Sequence, residues 1–329
     1  APRFYKRVLL IAHAGDVEAI VASLQKSDPN YRVIGYFNTG PNDGTIINAL
    51  EIDSITIADI SLLTQEMTIS EIVVGTPLSE GMTVELNNQL IKLLENGIPI
   101  REYTQVYEEL THRIPVQHVE KDFYRYFPFS RSNQNKLYLF FNRILDLFFS
   151  VLGLTFGIIL LPFLLIGNLC ANRGPLFYSQ TRVGKNGNHF KIYKLRSMVK
   201  NAEKDGAQFA LAKDTRVTKF GRFLRKSRFD EIPQFINVIK GEMSVIGPRP
   251  ERPEFVEGLI QKIPFYEVRH LVKPGVTGWA QVNAKYGSTE EDSLEKLQYD
   301  LYYIKHRSLF LDVTIIIKTL STIVFFRGQ

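Results

Sequence analysis

The chain has 329 residues, 45% of them hydrophobic and 22% charged, with a net charge of +6. That length allows two domains, each with its own core, and the positive balance suits an acidic partner: nucleic acid, an anionic membrane surface or a phosphorylated substrate. A single cysteine, Cys170, excludes an intrachain disulfide framework and a cysteine–zinc cluster, and six scattered histidines without HExxH spacing argue against a histidine-built metal site.

Residues 1–120 alternate strand-type and helix-type patterns. Arg7 to Ala12 is a short apolar strand, followed by a helical pattern from Asp16 to Leu24. Tyr31 to Phe37 and Glu71 to Gly75 read as further strands, Met82 to Glu95 as a helix, and Ile98 to Ile100 as the start of another strand. Such alternation predicts an α/β domain with a Rossmann-like, doubly wound parallel sheet. After the first strand comes Ala12-His13-Ala14-Gly15-Asp16, with one glycine where a dinucleotide fingerprint needs three, so a structural or regulatory domain is expected rather than an NAD site. The chain begins at Ala1 rather than Met, and no signal peptide is visible at this start.

Residues 121–135, with Phe123, Tyr124, Arg125, Tyr126, Phe127, Phe129 and Arg131, form an aromatic and basic linker suited to a membrane interface. From Leu147 to Cys170 there is no charged residue, and the run is long enough to cross a hydrocarbon core, which takes about 20 residues. Pro162 lies inside it, and both flanks are basic: Arg131, Lys136 and Arg143 before, Arg173, Arg182, Lys185 and Lys191 after. Basic flanks favour the cytoplasmic side at both ends, so a re-entrant helix over about 137–171, broken at Pro162, is preferred to a single span or a buried soluble helix. Arg143 and Asp146 stand at the i,i+3 spacing of a helical ion pair. At the other end of the chain, Phe310, Val313, Ile317, Leu320 and Val324 recur at helical spacing, which fits either a core helix or one lying on a bilayer.

The densest chemistry lies between Asp214 and Pro250. Arg216, Lys219, Arg222, Arg225, Lys226 and Arg228 crowd ahead of an acidic pair, Asp230-Glu231. A short helix follows, starting near Asp230 because Pro233 is tolerated only in a first turn, and closed by Gly241. Asp230 therefore reads, on local pattern alone, as a helix N-cap. Met243 to Ile246 is strand-like and runs into Gly247-Pro248-Arg249-Pro250, where flanking prolines hold Arg249 either as a phosphate clamp or as an ordinary turn residue. Lys273-Pro274-Gly275 and Thr277 to Asn283 add a glycine-rich turn and the only tryptophan, Trp279.

Taken in order, these motifs resemble the bacterial sugar transferase family, the monotopic polyprenyl-phosphate phosphoglycosyltransferases, over residues from about 136 to 329. The resemblance rests on Arg143 and Asp146 before the proline-containing helix, Gly174-Pro175-Leu176-Phe177 with Gln180 and Arg182, Lys194 to Met198, Arg225, Asp230 to Gln234, Asn237-Val238, Gly241, Met243-Ser244, Gly247 to Pro250, Lys273 to Gly275, Thr277 to Asn283, Asp300 with Tyr303, and Asp312. It implies three parts: a Rossmann-like domain at 1–120, a linker at 121–135, and a mainly helical, monotopic catalytic domain at 136–329. It also implies transfer of a sugar-1-phosphate from a UDP-sugar to undecaprenyl (polyprenyl) phosphate through an aspartyl-phosphosugar, with release of UMP, as the first membrane step of exopolysaccharide, O-antigen, capsule or glycoprotein glycan synthesis. In that scheme Asp230 is the nucleophile and Glu231, with Asp230, holds Mg²⁺. Arg182, Lys194, Arg196, Arg225, Arg249, Gln281 and Asp300 contact substrate, and Arg143, Asp146 and Pro162 shape the membrane hairpin. The location implied is the cytoplasmic face of the bacterial inner membrane, among membrane lipid.

Two departures from the family stand out: Ala284-Lys285 replaces the usual Gly-Arg, and the transmembrane bundle that precedes the Rossmann-like domain in some long members is not in this sequence. Competing readings are a glycosyltransferase that releases UDP and a membrane-anchored nucleotide-sugar sensor without turnover. Nucleic acid is not expected as a partner, because aromatic residues do not interleave with the basic run. Oligomeric state stays open, a homodimer through the N-terminal domain being one arrangement the sequence allows.

Overall fold

Five consecutive residues of β1 (Lys6–Ala12), Val8 to Ala12, are buried, the mark of a central strand covered on both faces. The computed structural model describes residues 5–40, 52–57, 60, 69–75, 83–118, 135–202, 206, 214–284, 287 and 289–325. The chain divides into two units, Ala1–His118 and Val119–Gln329.

In the first unit β1, β2 (Tyr31–Asn38), β3 (Asp53–Ser54), β4 (Glu71–Val74) and β5 (Ile100–Glu102) form one parallel sheet in the order β3-β2-β1-β4-β5. Strand alternation splits β1 between two cores. Val8, Leu10 and Ala12 meet α1 (Ala14–Ser27) and α3 (Tyr103–Thr111), through Ile20, Leu24, Val106 and others. Leu9 and Ile11 face α2 (Val84–Glu95), through Leu86, Leu90 and Leu93. This is the doubly wound arrangement expected from the alternating pattern. The helix predicted from Met82 begins at Val84 among the described residues, and residues 121–134 of the expected linker lie outside them.

The second unit is built on a long helix, α4 (Lys136–Gly167), capped by the Asn135 side chain, which accepts from the amides of Leu137 and Tyr138. Helical backbone continues through Pro162 to Gly167 and then into a π turn, Asn168–Asn172, so the proline interrupts hydrogen bonding without ending the helix. Only 11% of its most apolar window is buried within the protein. One face of α4 nevertheless rests on neighbours along its whole length. Arg143 donates to the carbonyls of Val238 and Ile239 at 2.6 and 2.7 Å. Asp146 accepts from the Ser244 hydroxyl at 2.9 Å and the Val245 amide at 2.7 Å. The Arg143–Asp146 ion pair expected from i,i+3 spacing is thus not formed, because each side chain has found backbone partners on the globular body instead. Farther along, Gly153 lies against the Phe235 ring and Gly157 against Ile232, where an added Cβ would stand 2.7 Å from the isoleucine. At the end, Phe163 meets Phe220 and Phe223, and the Asn172 amide donates to the Arg196 carbonyl at 2.9 Å.

An antiparallel hairpin, β6 (Phe177–Val183) and β7 (His189–Leu195), follows, and then α5 (Lys219–Lys226), whose N-cap Thr218 accepts from Gly221. Next come a 3₁₀ turn, Phe229–Glu231, and α6 (Gln234–Lys240), stopped by Gly241 at φ 83°, a conformation glycine adopts without a Cβ clash. β8 (Ser244–Ile246) pairs in parallel with β9 (Gly275–Thr277), their ends meeting where Gly247 and Gly275 leave no room for side chains. α7 (Pro253–Lys262), α8 (Trp279–Asn283), α9 (Glu290–His306) and α10 (Leu309–Val324) complete the unit. The capping box Thr289/Asp292 starts α9. On α10 the stripe Phe310, Val313, Ile317 and Leu320 is exposed, whereas Asp312 and Ile315 are buried, so that stripe does not feed the protein core. Tyr138 of α4 and Tyr303 of α9 both donate to Asp312, at 2.6 and 3.1 Å, and tie the three helices together.

Candidate active site

The acidic pair sits in the 3₁₀ turn, entered through Arg228 in the left-handed region at φ 60°. Helix α6 begins at Gln234, with Pro233 in the N-cap position, so Asp230 is not the N-cap that local pattern predicts. The proline pushed the regular helix one turn downstream, and the turn before it holds both carboxylates inside the protein.

Their surroundings differ. Glu231 is gripped by three cations: Lys194 at 3.3 Å and Arg249 at 3.2 Å on Oε1, and Arg228 at 3.2 Å on Oε2. Although burial alone would raise its pKa, the charges of Lys194, Arg249 and Arg228 hold it well below the usual carboxylate range. Asp230 is pushed the other way, up to about 6, first by burial and then by the charge of Glu231. Its Oδ1 is buried with no hydrogen-bond partner, as is Nε2 of Gln234 one helical turn on. Burial lowers Lys194 to about 8, against the pull of Glu231. Arg225, from α5, donates to the Ser197 hydroxyl at 2.9 Å and lies close enough to Asp230 and Lys194's cluster to act on the Asp230 charge.

The loop carrying Arg249 is held carbonyl by carbonyl. Pro248 O accepts from the Gly275 amide at 2.9 Å, Arg249 O from Arg269 at 3.0 Å, Pro250 O from Arg182 at 3.1 Å, and Glu251 O from the Val183 amide at 2.9 Å. The Arg249 side chain, 39% exposed, keeps contact with Glu231 while remaining open to solvent. Arg182 also bonds Gln180 at 2.7 Å and approaches Glu251 at 3.7 Å.

Lys194, Arg225, Asp230, Glu231 and Arg249, expected to act together, are therefore gathered in one cluster, with Arg182 behind the Arg249 loop. Three other residues are placed differently from the expected substrate contacts. Arg196 spends its guanidinium on the carbonyls of Pro175, Met198 and Asn172, at 2.7, 3.3 and 3.0 Å, and fastens the end of α4 to the hairpin. Asp300 is 1% exposed and bonded to Arg269 at 2.7 Å. Gln281 donates to the Val276 carbonyl at 3.0 Å within its own turn. In the sequence Arg228 stands out only as part of the basic run, and Arg269 and Glu251 do not stand out at all. Arg228 carried a local signal, the i,i+3 spacing to Glu231; Arg269 carried none towards the site, since Arg249 and Asp300 are distant in the chain.

A hard divalent cation such as Mg²⁺ takes oxygen ligands, typically one or two carboxylates plus substrate phosphates. Asp230 and Glu231 supply that donor set, and the unpartnered Oδ1 marks a buried acceptor awaiting a ligand. Among the described residues no group of three or more His, Cys, Asp or Glu could hold a metal, so a cation at this pair would need further ligands from outside the protein.

Residues 137–326, more than half of the chain, match the model of a family described as bacterial sugar transferase. Over 227 residues the chain is 43% identical to the UDP-N-acetylgalactosamine-undecaprenyl-phosphate N-acetylgalactosaminephosphotransferase of Aeromonas hydrophila, covering 69% of this chain and 52% of that protein. It is 45% identical over 157 residues to a UDP-glucose:undecaprenyl-phosphate glucose-1-phosphate transferase of Xanthomonas campestris pv. campestris, covering 47% of this chain and 32% of that protein. A putative undecaprenyl-phosphate N-acetylgalactosaminyl 1-phosphate transferase of Bacillus subtilis (strain 168) is 45% identical over 141 residues, 43% of this chain and 79% of that protein. The match thus spans about half or less of the first two relatives.

Proposed function

The chain belongs to the bacterial sugar transferase family, and from that premise we propose that it transfers a sugar-1-phosphate from a UDP-sugar to undecaprenyl phosphate, releasing UMP. The observation that carries this reading is the contrast within the acidic pair: Asp230 has a buried, unpartnered oxygen, while Glu231 is held ionised by Lys194, Arg228 and Arg249.

In the first step an Asp230 carboxylate oxygen attacks the phosphorus bearing the sugar. A P–O bond forms to the carboxylate, the P–O bond to UMP breaks, and UMP leaves with the electron pair. In the second step a phosphate oxygen of the polyprenyl phosphate attacks the same phosphorus. The acyl phosphate bond breaks, Asp230 returns as a carboxylate, and the lipid carries a diphospho-sugar. A pKa near 6 leaves Asp230 ionised at neutral pH yet more basic than an exposed aspartate, which suits a nucleophile. Arg249 and Lys194 face the region where phosphate charge shifts during transfer, and Arg225 stands beside them. Glu231 and Asp230 would hold Mg²⁺, which would supply charge neutralisation for the departing UMP.

The same reading accounts for α4. Contacts with one globular body from Arg143 to Asn172, together with an outward apolar face, suit a helix that enters the bilayer and keeps both ends on the cytoplasmic side. The exposed apolar stripe of α10 suits a helix resting on the same surface. A site at that boundary reaches a soluble nucleotide sugar and a lipid-anchored acceptor together.

The test is to incubate the full chain in nanodiscs with undecaprenyl phosphate, Mg²⁺ and a panel of UDP-sugars. UMP released from one donor and lost on EDTA addition supports the transfer. UDP as product would point to direct glycosyl transfer, and no nucleotide product from any donor to a sensor.

A further inference from the structure

Arg249 reaches Glu231 from a loop whose backbone is held in part by a group from farther along the chain. Arg269, in the 3₁₀ turn Tyr266–Leu271, donates from Nη2 to the Arg249 carbonyl at 3.0 Å and to Asp300 Oδ2 at 2.7 Å, and from Nη1 to the Tyr266 hydroxyl. Both members of the Arg269–Asp300 pair are buried, at 5% and 1% side-chain exposure. We propose that Arg269 is a positioning residue for Arg249, and that Asp300 acts on the phosphate-binding cluster through it rather than by touching substrate. The proposal rests on the transferase reading for its substrate.

Several features favour this over a purely structural pair. Arg269 shares one nitrogen between Asp300 and the carbonyl of the very residue that contacts Glu231. That carbonyl lies between two prolines, whose ring nitrogens offer no N–H to anchor the loop from within. The neighbouring carbonyls are held by β6 and β9, and Arg269 holds the carbonyl of Arg249 itself. A planar guanidinium can hold a carboxylate and a carbonyl at once, which a lysine ammonium does with less geometric control.

Replacing a buried pair by apolar residues of similar size can leave stability intact, whereas removing one partner strands a charge. The experiment therefore compares Arg269→Lys, Arg269→Met and the pair Arg269→Met/Asp300→Leu, each with and without Arg249→Ala. The readouts are melting temperature, kcat and KM for UMP release, and calorimetric binding of UDP. In the expected result Arg269→Met/Asp300→Leu melts near the unaltered protein but loses about 10- to 100-fold in kcat/KM, the range seen when outer partners of site residues are removed. Arg269→Lys recovers part of the loss, and in the Arg249→Ala background the Arg269 changes have no further effect on kcat/KM or UDP affinity. Full activity in the melted-normal double variant, or additive losses with Arg249→Ala, would overturn the proposal. UDP binding tests the relay without turnover: if the unaltered protein releases no UMP, the transferase reading fails, while weakened UDP binding in the Arg269 variants, absent in the Arg249→Ala background, still supports the relay.

Discussion

Lys194 and Arg249 converge on a single oxygen, Oε1 of Glu231, at 3.3 and 3.2 Å, one from the hairpin and one from the loop after β8. Two cations of independent origin therefore share one carboxylate, beside an aspartate whose own oxygen has no partner. On the proposed function, a diphosphate would offer those cations competing oxygens and so would free Glu231 for a metal.

Glu231→Gln tests that exchange. The amide keeps the shape but not the charge that Lys194, Arg228 and Arg249 compensate. UMP release should fall by about 10²-fold or more and should demand higher Mg²⁺ for half-maximal rate. An unchanged Mg²⁺ dependence in steady-state assays would remove Glu231 from the metal shell.

Arg143 closes the C-terminal end of α6 by donating to the carbonyls of Val238 and Ile239, where the helix dipole favours a cation. Arg143→Ala should lower stability by about 1.5–3 kcal/mol, the contribution of a hydrogen bond that involves a charged group. Denaturation in detergent micelles measures it, and a double-mutant comparison with Asp146→Asn should show losses that are coupled rather than additive, because the Arg143 charge acts on the Asp146 carboxylate one helical turn on.

Gly153 and Gly157 let α6 and the turn before it approach α4 closely. Gly157→Leu places a branched side chain where a Cβ alone already stands 2.7 Å from Ile232. Overpacking should cost about 1–3 kcal/mol and shift the acidic turn. Activity in nanodiscs should drop, while flotation with vesicles stays unchanged because the exposed apolar side of α4 is untouched.

His270 gives a pH signature. Burial, and then the charge of Arg269, push it down to about 4 from 6.5; it stacks edge-on against Tyr266. Between those values the unfolded chain binds more protons at this site than the folded one, so this contribution to stability is whole above about 6.5 and is lost as pH falls towards 4. Buried Asp300, raised to about 6 chiefly by desolvation, works in the opposite sense. The melting-temperature difference between His270→Asn and the unaltered protein isolates the histidine, and it should move in the variant's favour on acidification through that window. A constant difference would contradict the shift.

Much of the first unit could be read directly, because β1, β2 and β4 are buried apolar runs separated by helical periods. The two-residue β3, exposed and without an apolar run, and α3, which follows β5 without a break, gave no such signal. In the second unit the long helix and the acidic turn were visible from composition and motif order. The β6–β7 hairpin was not: its residues are half-exposed and mixed in polarity, and its pairing is fixed by contacts such as Asn237, which accepts from the Tyr193 amide at 3.1 Å and donates to the Lys191 carbonyl at 2.7 Å. Asp300, named through the resemblance, and Arg196, a candidate phosphate clamp by its charge, are bonded instead to Arg269 and to three backbone carbonyls. What separates them from Arg249 is burial and competing partners, which only tertiary structure supplies.

On the proposed mechanism Asp230 carries the phosphosugar. Intact-protein mass measured after mixing the nanodisc-held chain with its UDP-sugar donor and Mg²⁺, without polyprenyl phosphate, tests it directly. A mass increase equal to one sugar-phosphate, matched by one equivalent of UMP, discharged by undecaprenyl phosphate and absent in Asp230→Asn, is the predicted result. UMP formation without any adduct, or an adduct that persists in Asp230→Asn, would contradict it.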